Sequence, residues 1–211
     1  MDAVVFDLDG VLVDSERMWD DVRQAFATAN GGRWLPDSTR AMQGMSTPEW
    51  AAYLVAEVGV QLTPEATAAG VVEEMATRYA RHAPVIDGAV DAVRAIASRF
   101  PVAIASSSPP VLIRAFLTAT DLADLVPVAL SSEQTGAGKP APDVYLAAAR
   151  ALGVPPTACA AVEDSTNGLR AALAAGMTVY AVPNPHFPPD PAVLADVTVV
   201  RSITELPAAL G

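Results

Sequence analysis

Two aspartates spaced two apart, Asp7 and Asp9, follow the apolar run Ala3–Phe6 and are followed at once by Gly10. Carboxylates at the end of a buried strand sit where open α/β sheets place their ligands, and glycine lets the chain turn sharply after them. Alone, such a pair suits a solvated strand end as well as a catalytic site. A second pair, Glu163 and Asp164, follows another apolar run, Ala158–Val162. Four carboxylates converging from two strand ends would repel one another strongly unless a cation lay among them. Oxygen-only ligands favour a hard ion, and Mg2+ fits a site shared by a few carboxylates and a phosphate.

Two more stretches carry useful chemistry. Ser106-Ser107-Ser108 follows the run Val102–Ala105 and precedes Pro109. Ser108 as cap and Pro109 at the first helical position predict a helix start there. A hydroxyl and free amides at a helix N-terminus form an anion site, although three serines also suit a plain cap and turn. Gly138-Lys139-Pro140-Ala141-Pro142-Asp143 sets a lysine between rigid prolines. Of the 13 basic residues this is the one lysine, the rest being arginine. A need for a compact ammonium point charge explains that choice, and codon bias would give the same pattern.

The elements that must position these groups alternate along the chain. Continuously apolar runs at Ala3–Phe6, Val102–Ala105, Val126–Leu130, Ala158–Val162, Thr178–Val182 and Val197–Val200 predict strands buried on both faces of a parallel sheet. Helices are expected between them, one opening at Asp87-Gly88 and running to Ser98, one from Pro142 to Gly153 and one from Ser165 to Gly176. This alternation predicts a doubly wound, Rossmann-like α/β core. Between the first strand and Val85 the pattern is helical only, at Glu16–Ala29, Pro36–Gln43, Pro48–Val58 and Pro64–Ala80. The expected division is therefore a core domain of residues 1–14 and 85–211 with a small helical cap domain, 15–84, inserted after strand 1. Trp19, Trp34 and Trp50 all lie in the insertion. They either fill its core or supply contacts to a substrate that the cap shields from water. Pro183–Pro191 reads as a stiff loop, with His186 in it and His82 near the insertion's end expected to face solvent.

Composition narrows the partners. The chain has 211 residues with 24 acidic against 13 basic, a net charge of −11, and 52% of its residues are hydrophobic. Disorder is not expected. Nucleic acid and anionic membrane are excluded as partners, because both need a basic face. No apolar run approaches the ~18 residues of a spanning helix. The acidic start Met1-Asp2-Ala3-Val4 does not read as a signal peptide, and one cysteine, Cys159, can form no internal disulfide. A cytoplasmic protein with a buried, inert thiol is expected, with a monomer favoured.

Taken together, Asp7-x-Asp9-Gly-Val-Leu-x-Asp14-Ser15, the serine after the second core strand, Gly-Lys139-Pro-x-Pro-Asp and Val-Glu163-Asp164-Ser-x-x-Gly168 resemble the four ordered motifs of the haloacid dehalogenase superfamily. The helical insertion resembles its type-1 cap, and the sugar-phosphate phosphatases similar to β-phosphoglucomutase are nearest in appearance. The resemblance implies that Asp7 is a nucleophile forming an aspartyl-phosphate and that Asp9 is the acid and base. It implies that Ser106 and the Ser107 amide, with Lys139, hold the phosphoryl oxygens. Asp7, the Asp9 carbonyl, Glu163 and Asp164 would ligate Mg2+. Asp9 favours phosphoryl over halide chemistry, since halide needs no proton. The mutase pattern has a histidine on the first cap helix where this chain has Trp19, and basic residues around a Gly-x-Ser turn where this chain has Gln43 and Thr47. A neutral pair is poorly suited to a second phosphate, so a phosphatase acting on a small phosphate ester is expected. A phosphomutase, or a non-catalytic binding module, is the alternative. Trp19, Gly44, Met45 and Ser46 are the residues expected to face a sugar or polyol.

Overall fold

The computed structural model describes residues 1–42, 45–184 and 188–211. Gln43, Gly44 and His186, each singled out above, lie outside the described residues. The chain divides into two compact units, Met1–Asp14 with Ala83–Gly211 and Ser15–His82.

The larger unit is built on six parallel strands, β1 (Ala3–Phe6), β2 (Val102–Ser106), β3 (Val128–Ser131), β4 (Cys159–Glu163), β5 (Thr178–Ala181) and β6 (Thr198–Val199). Their order is β3-β2-β1-β4-β5-β6. The expected doubly wound sheet is present, and the direction of winding reverses between β1 and β4. Val4 pairs with Val102 on one side and Ala160 on the other. Both faces of β1, β2 and β4 are covered, which is why these strands read as unbroken apolar runs. β3 begins at Val128 and not at Val126, which is buried ahead of the strand.

In chain order the helices are α1 (Glu16–Ala29), α2 (Ser38–Ala41), α3 (Thr47–Ala56), α4 (Pro64–Arg81), α5 (Ala89–Ala97), α6 (Pro110–Thr120), α7 (Asp143–Leu152), α8 (Thr166–Ala174), α9 (Pro191–Leu194) and α10 (Leu206–Ala209). Ala3, Ala103, Ala105 and Ala161 from the sheet meet Ala148 and Ala149 of α7 and Ala171 and Ala172 of α8 in one buried cluster. Alanines on both sides let these helices lie close to the strands. Gly153 ends α7 and Gly176 follows α8, both at positive φ as expected of C-terminal caps. Cys159 is buried in that cluster, and burial pushes its thiol up.

One helix start differs from expectation. Ser108 does not cap α6; Pro109 occupies the cap position with an extended ψ of 146°. Pro110 is the reason, because a residue preceding proline is driven out of the helical region. The helix therefore begins one residue later, and the Ser108 hydroxyl is available for another partner.

The smaller unit holds α1 to α4, with α1 and α3 packed on α4. Trp50, Leu54, Val71, Met75 and Tyr79 are buried in it. Trp19 and Trp50 lie 6.0 Å apart between ring centroids. The Arg23 guanidinium lies 4.7 Å from the Trp19 ring and 4.8 Å from that of Trp50, a cation–π contact with both. Trp19 is only 9% exposed, so two of the three tryptophans serve this core. No helix is long and apolar enough to cross a membrane among the described residues.

Candidate active site

β1 and β4 end side by side at the point where the winding reverses, the place at which open α/β sheets bind ligands. Asp7 continues from β1, its N–H donating to the Val162 carbonyl at 2.9 Å. Glu163 closes β4, and Asp164 follows it. Carboxylate oxygens of Asp7, Glu163 and Asp164 lie within 4.8 Å of one another, and all three residues are buried. Gly10 makes this convergence possible. Its φ is +80°, and a Cβ there would collide with the Asp164 carboxylate.

Lys139 reaches the cluster from the loop before α7. Its ammonium donates to Asp7 Oδ1 at 2.8 Å, to Glu163 Oε1 at 2.6 Å and to the Ala105 carbonyl at 3.0 Å. It also lies 3.4 Å from the Tyr145 hydroxyl. Burial alone would lower its pKa, but the charges of Asp7 and Glu163 outweigh that and hold it above the ordinary lysine range. Asp7 moves up from 3.8 to about 7, through burial first and Glu163 second, with Lys139 pulling the other way.

Glu163 is held from every side. Oε1 accepts from Lys139 and from the Tyr145 hydroxyl at 2.8 Å. Oε2 accepts from the amides of Asp164 and Ser165 at 3.0 and 3.2 Å and from the Ser165 hydroxyl at 3.1 Å. The Ser165 oxygen in turn accepts from the Gly168 amide, so the cap of α8 and the anchor of Glu163 are one group. Gly168 also has no room for a side chain, since a Cβ would strike the Glu163 carboxylate.

The serine turn after β2 faces Asp9. Ser108 donates from its hydroxyl to Asp9 Oδ2 at 2.6 Å, and its amide donates to the Ser106 oxygen at 2.9 Å. The Ser106 hydroxyl is 3.4 Å from the same Asp9 oxygen. Ser106 is buried and Ser107 exposed.

The residues expected to do chemistry in the larger unit thus lie together at one end of the sheet. Trp19, Met45 and Ser46 belong to the smaller unit. Ser46 opens α3, its hydroxyl donating to Glu49 at 2.7 Å. Sequence reasoning missed Tyr145 and the partner of Ser108. Tyr145 had a signal: it lies on the buried stripe of α7 with Val144, Ala148 and Ala149, and a buried phenol must find a partner. Burial and the charge of Glu163 raise its pKa, so it remains a donor.

A buried carboxylate cluster beside a fixed ammonium, at the switch point of a doubly wound sheet, is the arrangement of an α/β fold with a candidate active site. The family model for haloacid dehalogenase-like hydrolases matches residues 1–176, and the chain belongs to that family. Hexitol phosphatase B of Escherichia coli is 37% identical over 98% of this chain and 94% of its own. A HAD family hydrolase from Deinococcus radiodurans, solved with bound phosphate and sodium, superposes with a TM-score of 0.70 at 33% identity over 100% of this chain and 95% of that one. β-Phosphoglucomutase from Clostridium difficile shares the fold, with a TM-score of 0.79 at 20% identity over 98% of this chain and 93% of that one.

Proposed function

We propose that this hydrolase is a Mg2+-dependent phosphatase that cleaves monophosphate esters of sugars or polyols through a phosphorylated Asp7. The observation that carries the reading is the Lys139 ammonium lying between Asp7 and Glu163. It favours the ionised form of a carboxylate that burial would otherwise keep protonated, and ionised Asp7 is a nucleophile.

The buried cluster suits a hard divalent ion. Its donors are all oxygen, and of its three carboxylates Asp7 and Glu163 pair with one ammonium. Asp7, the Asp9 carbonyl, Glu163 and Asp164 would hold Mg2+, with Glu163 also fixing Lys139. The ion, when bound, neutralises phosphoryl charge and orients the ester.

Asp7 then gives an electron pair to phosphorus as the ester P–O bond breaks, and Asp9 gives its proton to the departing alcohol oxygen. Water attacks the phosphorus next, Asp9 takes a proton from it, and the Asp7–phosphorus bond breaks to release phosphate. Ser106, the Ser107 amide and Lys139 hold the phosphoryl oxygens, charge stabilisation of the kind that dominates phosphoryl transfer. Met45 and Ser46 remain proposed contacts for the sugar end, as does Gly44 by its place in the sequence, whereas Trp19 is taken up by the core around Trp50. The 37% identity to a hexitol phosphatase supports that substrate class.

A panel of phosphorylated metabolites with Mg2+ tests the proposal. Preference for sugar or polyol phosphates is expected, and preference for nucleotides or aryl phosphates over all of them would overturn the substrate class. With a hexose 1-phosphate, free phosphate should accumulate; its 6-phosphate isomer would identify a mutase instead.

A further inference from the structure

We infer that Ser108 is a positioning residue for Asp9, fixing which of its carboxylate oxygens exchanges a proton with the substrate. The inference rests on the proposed role of Asp9 as acid and base.

Two hydroxyls approach Asp9 Oδ2, and their distances are unequal. Ser108 donates at 2.6 Å, in the range of a charge-assisted bond, whereas Ser106 stands at 3.4 Å, beyond a good hydroxyl bond. A serine hydroxyl has one hydrogen. Once Ser106 turns that hydrogen to a phosphoryl oxygen, it has none for Asp9. Ser108 keeps its own. It is 5% exposed, and its amide is tied to the Ser106 oxygen, so the turn presents the hydroxyl from a fixed backbone. The later start of α6, at Pro110, completes the arrangement, because Ser108 has no helix amide to cap.

Ser108 thereby commits Oδ2 of Asp9 to accepting a hydrogen bond. Oδ1 becomes the oxygen that delivers a proton to the alcohol as the P–O bond breaks and later takes one from the attacking water. Without the Ser108 hydroxyl Oδ2 loses its shortest hydrogen bond, and delivery to an ester oxygen loses alignment.

The test compares leaving groups. Alkyl phosphates need a proton on the departing oxygen, whereas p-nitrophenyl phosphate releases a stable phenolate. Because kcat/KM reports steps up to alcohol release, it is measured for both, using glycerol 1-phosphate or sorbitol 6-phosphate, whichever turns over faster. In Ser108→Ala, which keeps the amide bond to Ser106, the alkyl value should fall about tenfold or more and the aryl value by no more than about twofold. Ser108→Thr, which restores a hydroxyl, should recover most of the loss. Equal losses on both esters, no loss, or no recovery in Ser108→Thr would overturn the inference. Asp9→Asn runs alongside: if it shows no leaving-group dependence, the acid role of Asp9 falls, and if it does while Ser108→Ala does not, only the role of Ser108 falls. Melting curves check folding, and Ser108→Cys, a weaker donor of similar size, should give intermediate discrimination if Ser108→Ala fails to fold.

Discussion

The Lys139 ammonium and the Glu163 carboxylate meet at 2.6 Å, both almost fully out of contact with water. Around them are ranged Asp7, Tyr145 and the cap of α8, so this ion pair joins the loop before α7 to the ends of β1 and β4.

Removing the lysine should therefore act on stability and chemistry together. Lys139→Ala leaves Asp7 and Glu163 buried without their cation, and breaking such a pair costs about 3–5 kcal/mol. Denaturant unfolding should register that loss, and turnover of a sugar phosphate should drop by about 10²–10³-fold or more. Lys139→Arg should fail to restore activity, since a planar guanidinium cannot place one point charge between the two oxygens.

Tyr145→Phe is a milder version of the same experiment. The ring stays, and Glu163 Oε1 loses one of its two donors. Leaving a buried acceptor short of a bond costs about 1–3 kcal/mol. A fall in kcat with little change in KM is expected, smaller than that of Lys139→Ala; a loss as large would mean that the phenol itself handles substrate.

Gly168→Ala sets two effects against each other. Alanine near the start of α8 favours the helix by about 1 kcal/mol. The new Cβ collides with Glu163, and forcing atoms into a filled site costs about 1–3 kcal/mol. Net destabilisation is expected, with a weaker Mg2+-induced rise in melting temperature. An unchanged or higher melting temperature would show that Glu163 yields easily.

Asp7 makes the metal-free protein sensitive to pH. Its carboxyl is raised from 3.8 to about 7 by burial and by Glu163, so between those values the folded state binds a proton that the unfolded chain has released. Stability in the presence of chelator should therefore fall as pH rises from about 4 to about 7 and level off above. Asp7→Asn should flatten that slope. Stabilisation by Mg2+ should be larger at pH 8 than at pH 5.5, where the ion competes with the proton. Melting curves of both proteins across that range, with and without Mg2+, check all three outcomes.

The parts of this site that sequence revealed are those governed by local rules. β1 and β4 stood out because strands covered on both faces carry no alternation, and acids placed directly after them had to lie at a strand end. The position of α1, Glu16–Ala29, followed from its own periodicity. Ser108 was misread because serine before proline fits a cap, and the override came from the second proline, which moved the helix start. Nothing local tells Ser108 that Asp9, 99 positions away, will be its partner. Tyr145 announced a buried hydroxyl and not its destination. Trp19 could be read as a core residue or a contact surface, and burial against Trp50 and Arg23 depends on packing that no single helix encodes.

The central place of β1 also governs the order in which the enzyme can come into being. It is the first strand synthesised, yet its neighbours are β2 and β4, so Val4 waits for Val102 and then Ala160. Residues Ser15–His82, a helical unit contiguous in the chain, can assemble in the meantime. Asp7 and Asp9 are thus made ahead of Lys139, Glu163 and Asp164, and the cluster forms only once those have followed. Until β4 arrives, β1 keeps one apolar edge unpaired, and such an edge is open to association with other chains.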